Sequence, residues 1–301
     1  MQRYAHPESL ASTQWLAGHL DDPQVRVVEV VWGASASWGR PAYEAGHIPG
    51  AVAWDFQADL QDQARGDLID RTGVETLLAK AGIDRNTCIV LYSGLNNMLA
   101  TFAFWLLKIY GHPSVRLLDG GRRKWLDEGR PTSSKAPEVA SRKPIGTLPA
   151  HYHASEPDWS LRADRETVLQ ALGSGTHSLV DARSAEMYSG ADKAGAARGG
   201  HIPGSANLAA RRELRADGSV IGWSIPTVKE DGTFRPAEEL EELFDDLGIV
   251  RGKPIITYCV RGGLSTHAWF VLTQLLGYDG VREYDRSWAE WGSVERLPIE
   301  S

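Results

Sequence analysis

The most constraining feature of this 301-residue chain is an internal repeat. A GHIPG element that begins at Gly46 returns at Gly200. Further on, two longer stretches align in register with a constant separation of 166 positions. Paired positions in these stretches are Tyr92 with Tyr258, Gly111 with Gly277, and Trp125 with Trp291. A repeat of this length predicts two homologous domains rather than one large one.

Between the copies lies a stretch rich in Pro and Ser and poor in apolar periodicity, which is typical of a linker. We therefore predict domains at residues 1–135 and 158–301, joined by a linker at 136–157. The GHIPG elements are only 154 positions apart, so the second copy carries about twelve extra residues before its second half. This insertion, around residues 211–232, is expected to be a surface loop.

Short runs of β-branched residues alternate with helical patterns in both copies. VRVVEVV and CIVLY in the first copy, and HSLVDA and PIITYC in the second, are strand-like, and each precedes a helical segment. This order predicts an α/β fold in which each domain is a mainly parallel sheet flanked by helices. Ligands of such sheets bind beyond the carboxyl ends of the strands.

Cys259 lies at one of these strand ends, directly after PIITY. Ser265 or Thr266 is the predicted N-cap of the next helix, so that Val260–Leu264 forms the connecting loop. Gly262 and Gly263 allow backbone angles that turn amide N–H groups inward around the sulfur. The pattern predicts an anion-binding loop that holds a reactive thiol.

A lowered thiol pKa is the second expectation for this loop. A free cysteine has a pKa of about 8.5, and lowering it by about two units requires roughly 2.7 kcal/mol. A helix N-terminus supplies up to about 2 kcal/mol, and the Arg261 cation is expected to supply the rest.

These motifs together resemble the rhodanese sulfurtransferases in their tandem two-domain form. The resemblance covers essentially the whole chain and rests on the paired GHIPG elements, the strand–cysteine–loop–helix unit and the closing YDRSWAEWG. It implies that Cys259 accepts a sulfane sulfur as a persulfide and passes it to cyanide or to a thiol. The predicted substrate-binding groups are Arg261 and the loop amides of Val260, Gly262, Gly263, Leu264 and Ser265.

The first copy has Ser93 at the position of Cys259, and a serine cannot carry a persulfide. The resemblance therefore implies a non-catalytic first domain. Cys88 lies within the strand CIVLY and is predicted to be a buried core thiol. His47 and His201 recur in both copies, which favours a structural role in the turn.

The sequence identifies the residue that carries the sulfur, Cys259, more clearly than it identifies the substrate that donates the sulfur. Thiosulfate-specific relatives place Arg and then Lys after the cysteine, whereas mercaptopyruvate-specific relatives use small neutral residues. Here the pair is Val260 and Arg261, and the surviving cation favours the dianion thiosulfate. The alternative donor is 3-mercaptopyruvate.

Arginines near the predicted pocket have two interpretations each. Arg183 either binds substrate or pairs with Asp181 at the strand end. Arg198, Arg211 and Arg212 flank the second GHIPG element and either face the pocket or, as we expect, are solvated surface residues.

Two other functions must be weighed against sulfur transfer. Cysteine phosphatases share the loop geometry but require Arg six residues after the cysteine, where this chain has Ser265. A non-catalytic binding module that merely retains Cys259 is the other alternative, because a fold does not imply activity.

Composition limits the partners. The net charge is −7, and no polybasic run is present, which argues against nucleic acid and against an anionic membrane surface. With two cysteines and no signal-peptide pattern, we predict a cytoplasmic protein with free thiols. No metal or organic cofactor is predicted; the partners are a small anionic sulfur donor and a cyanide or thiol acceptor.

Overall fold

The computed structural model describes residues 3–135, 152–214, 216 and 220–301. The chain divides into two packed units. The first unit comprises Glu8–Asp158 together with Asp231–Thr233. The second unit comprises the residues up to Pro7, Trp159–Glu230 and Phe234–Ser301.

The edges of these units differ from the predicted domain ends. Residues 152–157, expected in the linker, and Asp158, expected in the second domain, pack in the first unit, where the Asp158 N–H donates to the Ile109 carbonyl at 2.8 Å. The Ala5 N–H donates to the Leu275 carbonyl, also at 2.8 Å, within the second unit. Main-chain pairing of this kind leaves no trace in composition. The remainder of the predicted linker, 136–151, lies outside the described residues.

The first unit is built on a parallel sheet with strand order β1-β7-β6-β2-β3. Its strands are β1 (Leu10–Ala11), β2 (Val25–Val31), β3 (Val52–Asp55), β4 (Gln61–Asp62), β5 (Asp67–Leu68), β6 (Cys88–Tyr92) and β7 (Val115–Leu118). Its helices are α1 (Thr13–Ala17), α2 (Arg40–Ala45), α3 (Arg71–Lys80), α4 (Met98–Ile109) and α5 (Gly121–Asp127). Strand β2, VRVVEVV, is buried along its whole length, as expected for a parallel strand covered on both faces.

The second unit repeats this plan with strand order β13-β12-β8-β9, again parallel. Its strands are β8 (Ser178–Asp181), β9 (Ala206–Asn207), β10 (Arg211–Leu214), β11 (Val220–Ser224), β12 (Ile255–Tyr258) and β13 (Val281–Glu283). Its helices are α6 (Arg165–Ser174), α7 (Ala185–Tyr188), α8 (Ala237–Asp246), α9 (Gly263–Phe270) and α10 (Ser287–Trp291). The predicted fold class, two α/β domains with mainly parallel sheets, is confirmed.

The insertion of the second copy is not simply a loop. Strands β10 and β11 pair antiparallel, with Arg211 opposite Ser224. An inserted segment must satisfy its own backbone N–H and C=O groups, and pairing with itself does so without help from the sheet.

The repeated GHIPG element has the same structural role in both units. The ring nitrogen Nδ1 of His47 lies 2.9 Å from the Tyr43 carbonyl oxygen, and Nδ1 of His201 lies 2.9 Å from that of Tyr188. Each imidazole also stacks on the ring of the same tyrosine. Both histidines are buried, which agrees with the predicted structural role in the turn.

Candidate active site

Cys259 follows β12, a central strand of the second sheet, which pairs with β8 on one side and β13 on the other. The residue is only 2% exposed. Its N–H donates to Ser287 Oγ at 3.0 Å, and its carbonyl accepts from the Trp288 N–H at 3.0 Å. Both contacts come from the start of α10, so this helix fixes the backbone on which the sulfur is carried.

The helix after the loop begins earlier than predicted. Helix α9 starts at Gly263, and its N-cap is Gly262, with φ of 87°. The predicted N-cap at Ser265 or Thr266 is therefore wrong. Because glycine tolerates the left-handed conformation, the chain enters the helix at once. Ser265 then falls in the first helical turn, where its hydroxyl is available to other partners.

Hydrogen-bond donors surround the sulfur. The Ser265 hydroxyl lies 3.2 Å from Cys259 Sγ, and the backbone N–H groups of Ser265 and Arg261 also donate to it. Two of the predicted loop amides are thus placed at the sulfur. Sulfur or substrate contacts of the other predicted residues stay predictions: Val260, Gly262, Gly263 and Leu264.

A buried carboxyl group lies behind these donors. Glu283, the last residue of β13, has no exposed surface, and its Oε1 contacts the Ser265 hydroxyl. Its Oε2 accepts a hydrogen bond from Thr257 Oγ1. Burial raises the pKa of Glu283 well above its ordinary value, although both hydroxyl contacts lower it.

The balance of forces on the thiol differs from the expected one. Burial raises the pKa of Cys259, and Glu283 raises it further whenever its carboxyl group is ionised. The Ser265 hydroxyl and the two loop amides lower it, but the net direction is upward. The predicted lowering of the thiol pKa is therefore wrong, because the sequence did not show how deeply the sulfur is buried or that a carboxyl group lies behind it.

Arg261 contributes its backbone N–H to the sulfur while its side chain is exposed to solvent. The guanidinium was expected to stabilise the thiolate, but it is not among the main influences on the thiol. An exposed cation at the loop can still contact an incoming anion, so its role in donor binding stays a prediction.

Arg183 is fully buried and pairs with Asp181, with Nε 3.0 Å from both carboxylate oxygens. Its Nη2 also donates to the Gly200 carbonyl at 2.7 Å, and its guanidinium lies 4.2 Å from the centre of the Trp288 ring. This geometry favours the structural alternative for Arg183 over substrate binding.

The remaining arginines and the second cysteine differ in part from expectation. Arg198 is not a solvated residue: its guanidinium donates to backbone carbonyls at the end of α10 and beyond it, among them Leu297 O at 2.8 Å. Arg211 and Arg212 are exposed, and Arg212 pairs with Asp192 at 2.8 Å. Cys88 is half-buried rather than fully buried, because it begins its strand.

The equivalent loop of the first unit is closed by its own side chains. The Ser93 N–H donates to Asn97 Oδ1 at 2.9 Å, and the Ser93 hydroxyl donates to the Gly94 carbonyl at 3.0 Å. Three successive residues, Leu95, Asn96 and Asn97, adopt positive φ angles. The loop amide that Ser287 binds in the second unit is therefore bound here by an asparagine.

Sequence reasoning missed Glu283 and Ser287, although a signal existed. In the repeat, Glu283 stands where the first copy has Leu117, so a carboxyl group replaces an apolar side chain in a buried strand. Ser287 stands where the first copy has Gly121. Differences between the copies, as well as their similarities, marked the site.

Neither a metal centre nor a membrane span is found in the described part of the chain. No cluster of three or more metal-ligating His, Cys, Asp or Glu side chains occurs there. Within the same residues, no helix is both long enough and apolar enough to cross a membrane.

The family model of the rhodanese-like domain matches residues 12–128 and 164–293, one match for each unit. The chain belongs to the rhodanese-like family. The match confirms the tandem resemblance drawn from the repeat.

Curated relatives extend over nearly the whole length. The sulfur carrier protein TtuD of Thermus thermophilus is 41% identical over 306 residues, covering 98% of both chains. A protein of Mycolicibacterium smegmatis that carries the provisional name thiosulfate sulfurtransferase is 41% identical over 303 residues, covering 98% of this chain and 99% of the relative. Sulfur transfer or sulfur carriage is thus the function named among these relatives.

Solved structures show the same architecture. The anaerobic ergothioneine biosynthesis enzyme of Chlorobium limicola, solved with trimethyl histidine, matches with a TM-score of 0.81 at 25% identity, covering all of this chain and 72% of that one. The structure of YnjE matches with a TM-score of 0.78 at 25% identity, covering all of this chain and 70% of that one.

Proposed function

We propose that this protein transfers a sulfane sulfur from thiosulfate to cyanide or to a thiol through a persulfide on Cys259. The single observation that carries the proposal is the environment of this sulfur. It lies at the carboxyl end of a parallel strand, inside a loop whose Arg261 and Ser265 amides and Ser265 hydroxyl all donate to it. Donors preorganised around a sulfur stabilise negative charge that develops there during the reaction.

The chemistry follows as two displacements. The Cys259 thiolate attacks the outer sulfur of thiosulfate, the sulfur–sulfur bond of the donor breaks, and sulfite leaves with its electron pair. The acceptor then attacks the outer sulfur of the persulfide, and Cys259 leaves as a thiolate that the same donors stabilise. Residues of this chain suffice for both steps, and the proposal includes no metal and no organic cofactor.

Thiosulfate is preferred over 3-mercaptopyruvate as donor because Arg261 places an exposed cation on the loop. A dianion gains more from such a charge than a monoanion does. Names among the relatives support sulfur transfer but leave the donor open, so 3-mercaptopyruvate remains the alternative donor. A binding module without catalysis is the second alternative.

The test is an intact-mass spectrum of the full chain after incubation with thiosulfate and then with cyanide, in parallel with 3-mercaptopyruvate. We expect a gain of one sulfur with thiosulfate that cyanide removes, because a persulfide is labile to this nucleophile. The Cys259→Ser variant should show no gain, whereas Cys88→Ser should behave as wild type. A folded, reduced protein that gains no sulfur from either donor would support the binding module instead.

A further inference from the structure

The Ser265 hydroxyl has more partners than it has hydrogens. Its Oγ lies 3.2 Å from Cys259 Sγ and also makes a close contact with Glu283 Oε1. A hydroxyl carries one hydrogen, so it can donate to only one of these two atoms at a time. The other contact needs a hydrogen from the other side.

The reactive form of the site fixes where the hydrogens lie. A thiolate has no hydrogen to give, so the Ser265 hydrogen must point to the sulfur when Cys259 is a nucleophile. The contact between Ser265 Oγ and Glu283 Oε1 then requires a hydrogen on the carboxyl group. Two oxygen acceptors facing each other without a hydrogen would be an unpaired, buried contact, which is costly.

The second carboxyl oxygen agrees with this assignment. Glu283 Oε2 accepts from Thr257 Oγ1, as the carbonyl oxygen of a protonated acid would, which leaves Oε1, in contact with Ser265 Oγ, as the oxygen that would carry the hydrogen. No cation contacts the carboxyl group among the described residues, in contrast to Glu29 of the first unit, which pairs with Arg122 at 2.9 Å. An ionised carboxylate without a cation is strongly disfavoured in a site with no solvent exposure.

We infer that Glu283 works as a neutral carboxylic acid that donates to Ser265 and thereby holds the Ser265 hydroxyl as a donor to the Cys259 sulfur. Glu283 is thus a positioning residue: it does not touch the donor, but it sets the direction of a hydrogen bond at the reacting atom. The inference rests on the proposed function only in taking the Cys259 thiolate as the reacting group.

The arrangement is sensitive to pH. Ionisation of Glu283 would turn it into an acceptor, draw the Ser265 hydrogen away from the sulfur and add a negative charge beside the thiolate. The titratable groups that bear on Glu283 are Cys259 from the loop and Asp285 beyond the end of β13. Arg162 pairs with Asp285 at 2.7 Å and offsets its charge.

The first test is infrared difference spectroscopy of the full chain, comparing wild type with Glu283→Gln. We expect the carbonyl band of a protonated carboxylic acid in the wild type at neutral pH and its loss in the variant. Asp285→Asn is the matched control, an acid-to-amide change two residues away, and it should leave the band in place. Absence of the band from the wild type at neutral pH would overturn the inference.

The second test measures the rate of persulfide formation from thiosulfate in a single turnover. Glutamine keeps a donor toward Ser265 and an acceptor toward Thr257 but cannot ionise, so E283Q should stay within about threefold of wild type at neutral pH. E283L removes the donor and should slow the reaction at least about tenfold, as should Ser265→Ala. As pH rises, both proteins gain rate while the Cys259 thiol ionises, but the wild type should fall progressively behind E283Q as Glu283 ionises.

The outcomes separate this inference from the proposed function. An E283Q protein as slow as E283L would mean that the site needs a carboxylate, and the inference would fail. An unchanged rate in E283L would mean that Glu283 has no effect on the sulfur, with the same result. If no donor loads the wild type, the proposed function fails, and the infrared band still decides the state of Glu283.

Discussion

Replacing Ser287 tests how the second unit holds the backbone that carries the reactive sulfur. Ser287 Oγ accepts the Cys259 N–H at 3.0 Å and donates to the Tyr284 carbonyl at 2.7 Å. The residue is fully buried and has a φ of 51°, a left-handed conformation that is unfavourable for serine. Its hydroxyl thus bridges two main-chain groups at the cost of a strained backbone.

The first unit bridges the equivalent pair of groups with a different side chain. Asn97 Oδ1 accepts the Ser93 N–H at 2.9 Å, and Asn97 Nδ2 donates to the Leu118 carbonyl at 2.7 Å. The position equivalent to Ser287 is Gly121, where a Cβ would lie 2.5 Å from Asn97 Oδ1. The asparagine bridge and a side chain at this position therefore exclude each other.

The expected order of stability follows from these contacts. Ser287→Ala keeps the strained backbone and leaves the buried Cys259 N–H without an acceptor, which costs about 1–3 kcal/mol. Ser287→Gly loses the same acceptor but relieves about 1 kcal/mol of strain, so its cost is smaller.

Native-state hydrogen exchange at the Cys259 amide measures this order directly. A cost of about 1.4 kcal/mol corresponds to tenfold faster exchange, so Ser287→Ala should exchange about 5–140-fold faster than wild type. The Ser93 amide, in the first unit, is the internal reference and should not change. Exchange that is equally fast in Ser287→Ala and Ser287→Gly would refute the reasoning.

Three further changes have defined outcomes. Arg261→Ala should raise the KM for thiosulfate up to about fivefold, because an exposed cation contributes about 0–1 kcal/mol, and should raise the KM for 3-mercaptopyruvate less. Steady-state kinetics in which KM rises equally for both donors would contradict this. Burial lowers the pKa of His267 to about 3, so the folded state resists protonation of this side chain. The free energy of unfolding should therefore decrease as pH falls from about 6.5 to about 3, by at most about 1.4 kcal/mol per pH unit. Urea unfolding of His267→Gln should not show this pH dependence. Burial raises the pKa of Glu283, so folding favours its protonated form, and wild-type stability should decrease as pH rises above about 4.3 until the folded-state pKa is passed. Thermal unfolding should therefore show that E283Q gains stability relative to wild type from pH 5 to 8. A stability difference that stays constant over this range would contradict the assignment.

The sequence by itself determined the duplicated architecture and the position of the nucleophile. Three features can be recognised from the order of residues alone: the repeat in register, the alternation of strands and helices, and the cysteine at a strand end. The parallel sheets and the placement of Cys259 beyond β12 follow from them. The asymmetry between Cys259 and Ser93 was visible in the same alignment of the copies.

Only the tertiary structure decided the electrostatics of the site. Glu283 lies 24 positions after Cys259 and reaches the sulfur through Ser265 because β13 pairs with β12. This pairing buries the thiol and the carboxyl group together, and that reversed the expected direction of the thiol pKa. The sequence shows which charged groups a chain contains, but the cost of burying them depends on which neighbours the fold places within hydrogen-bonding distance.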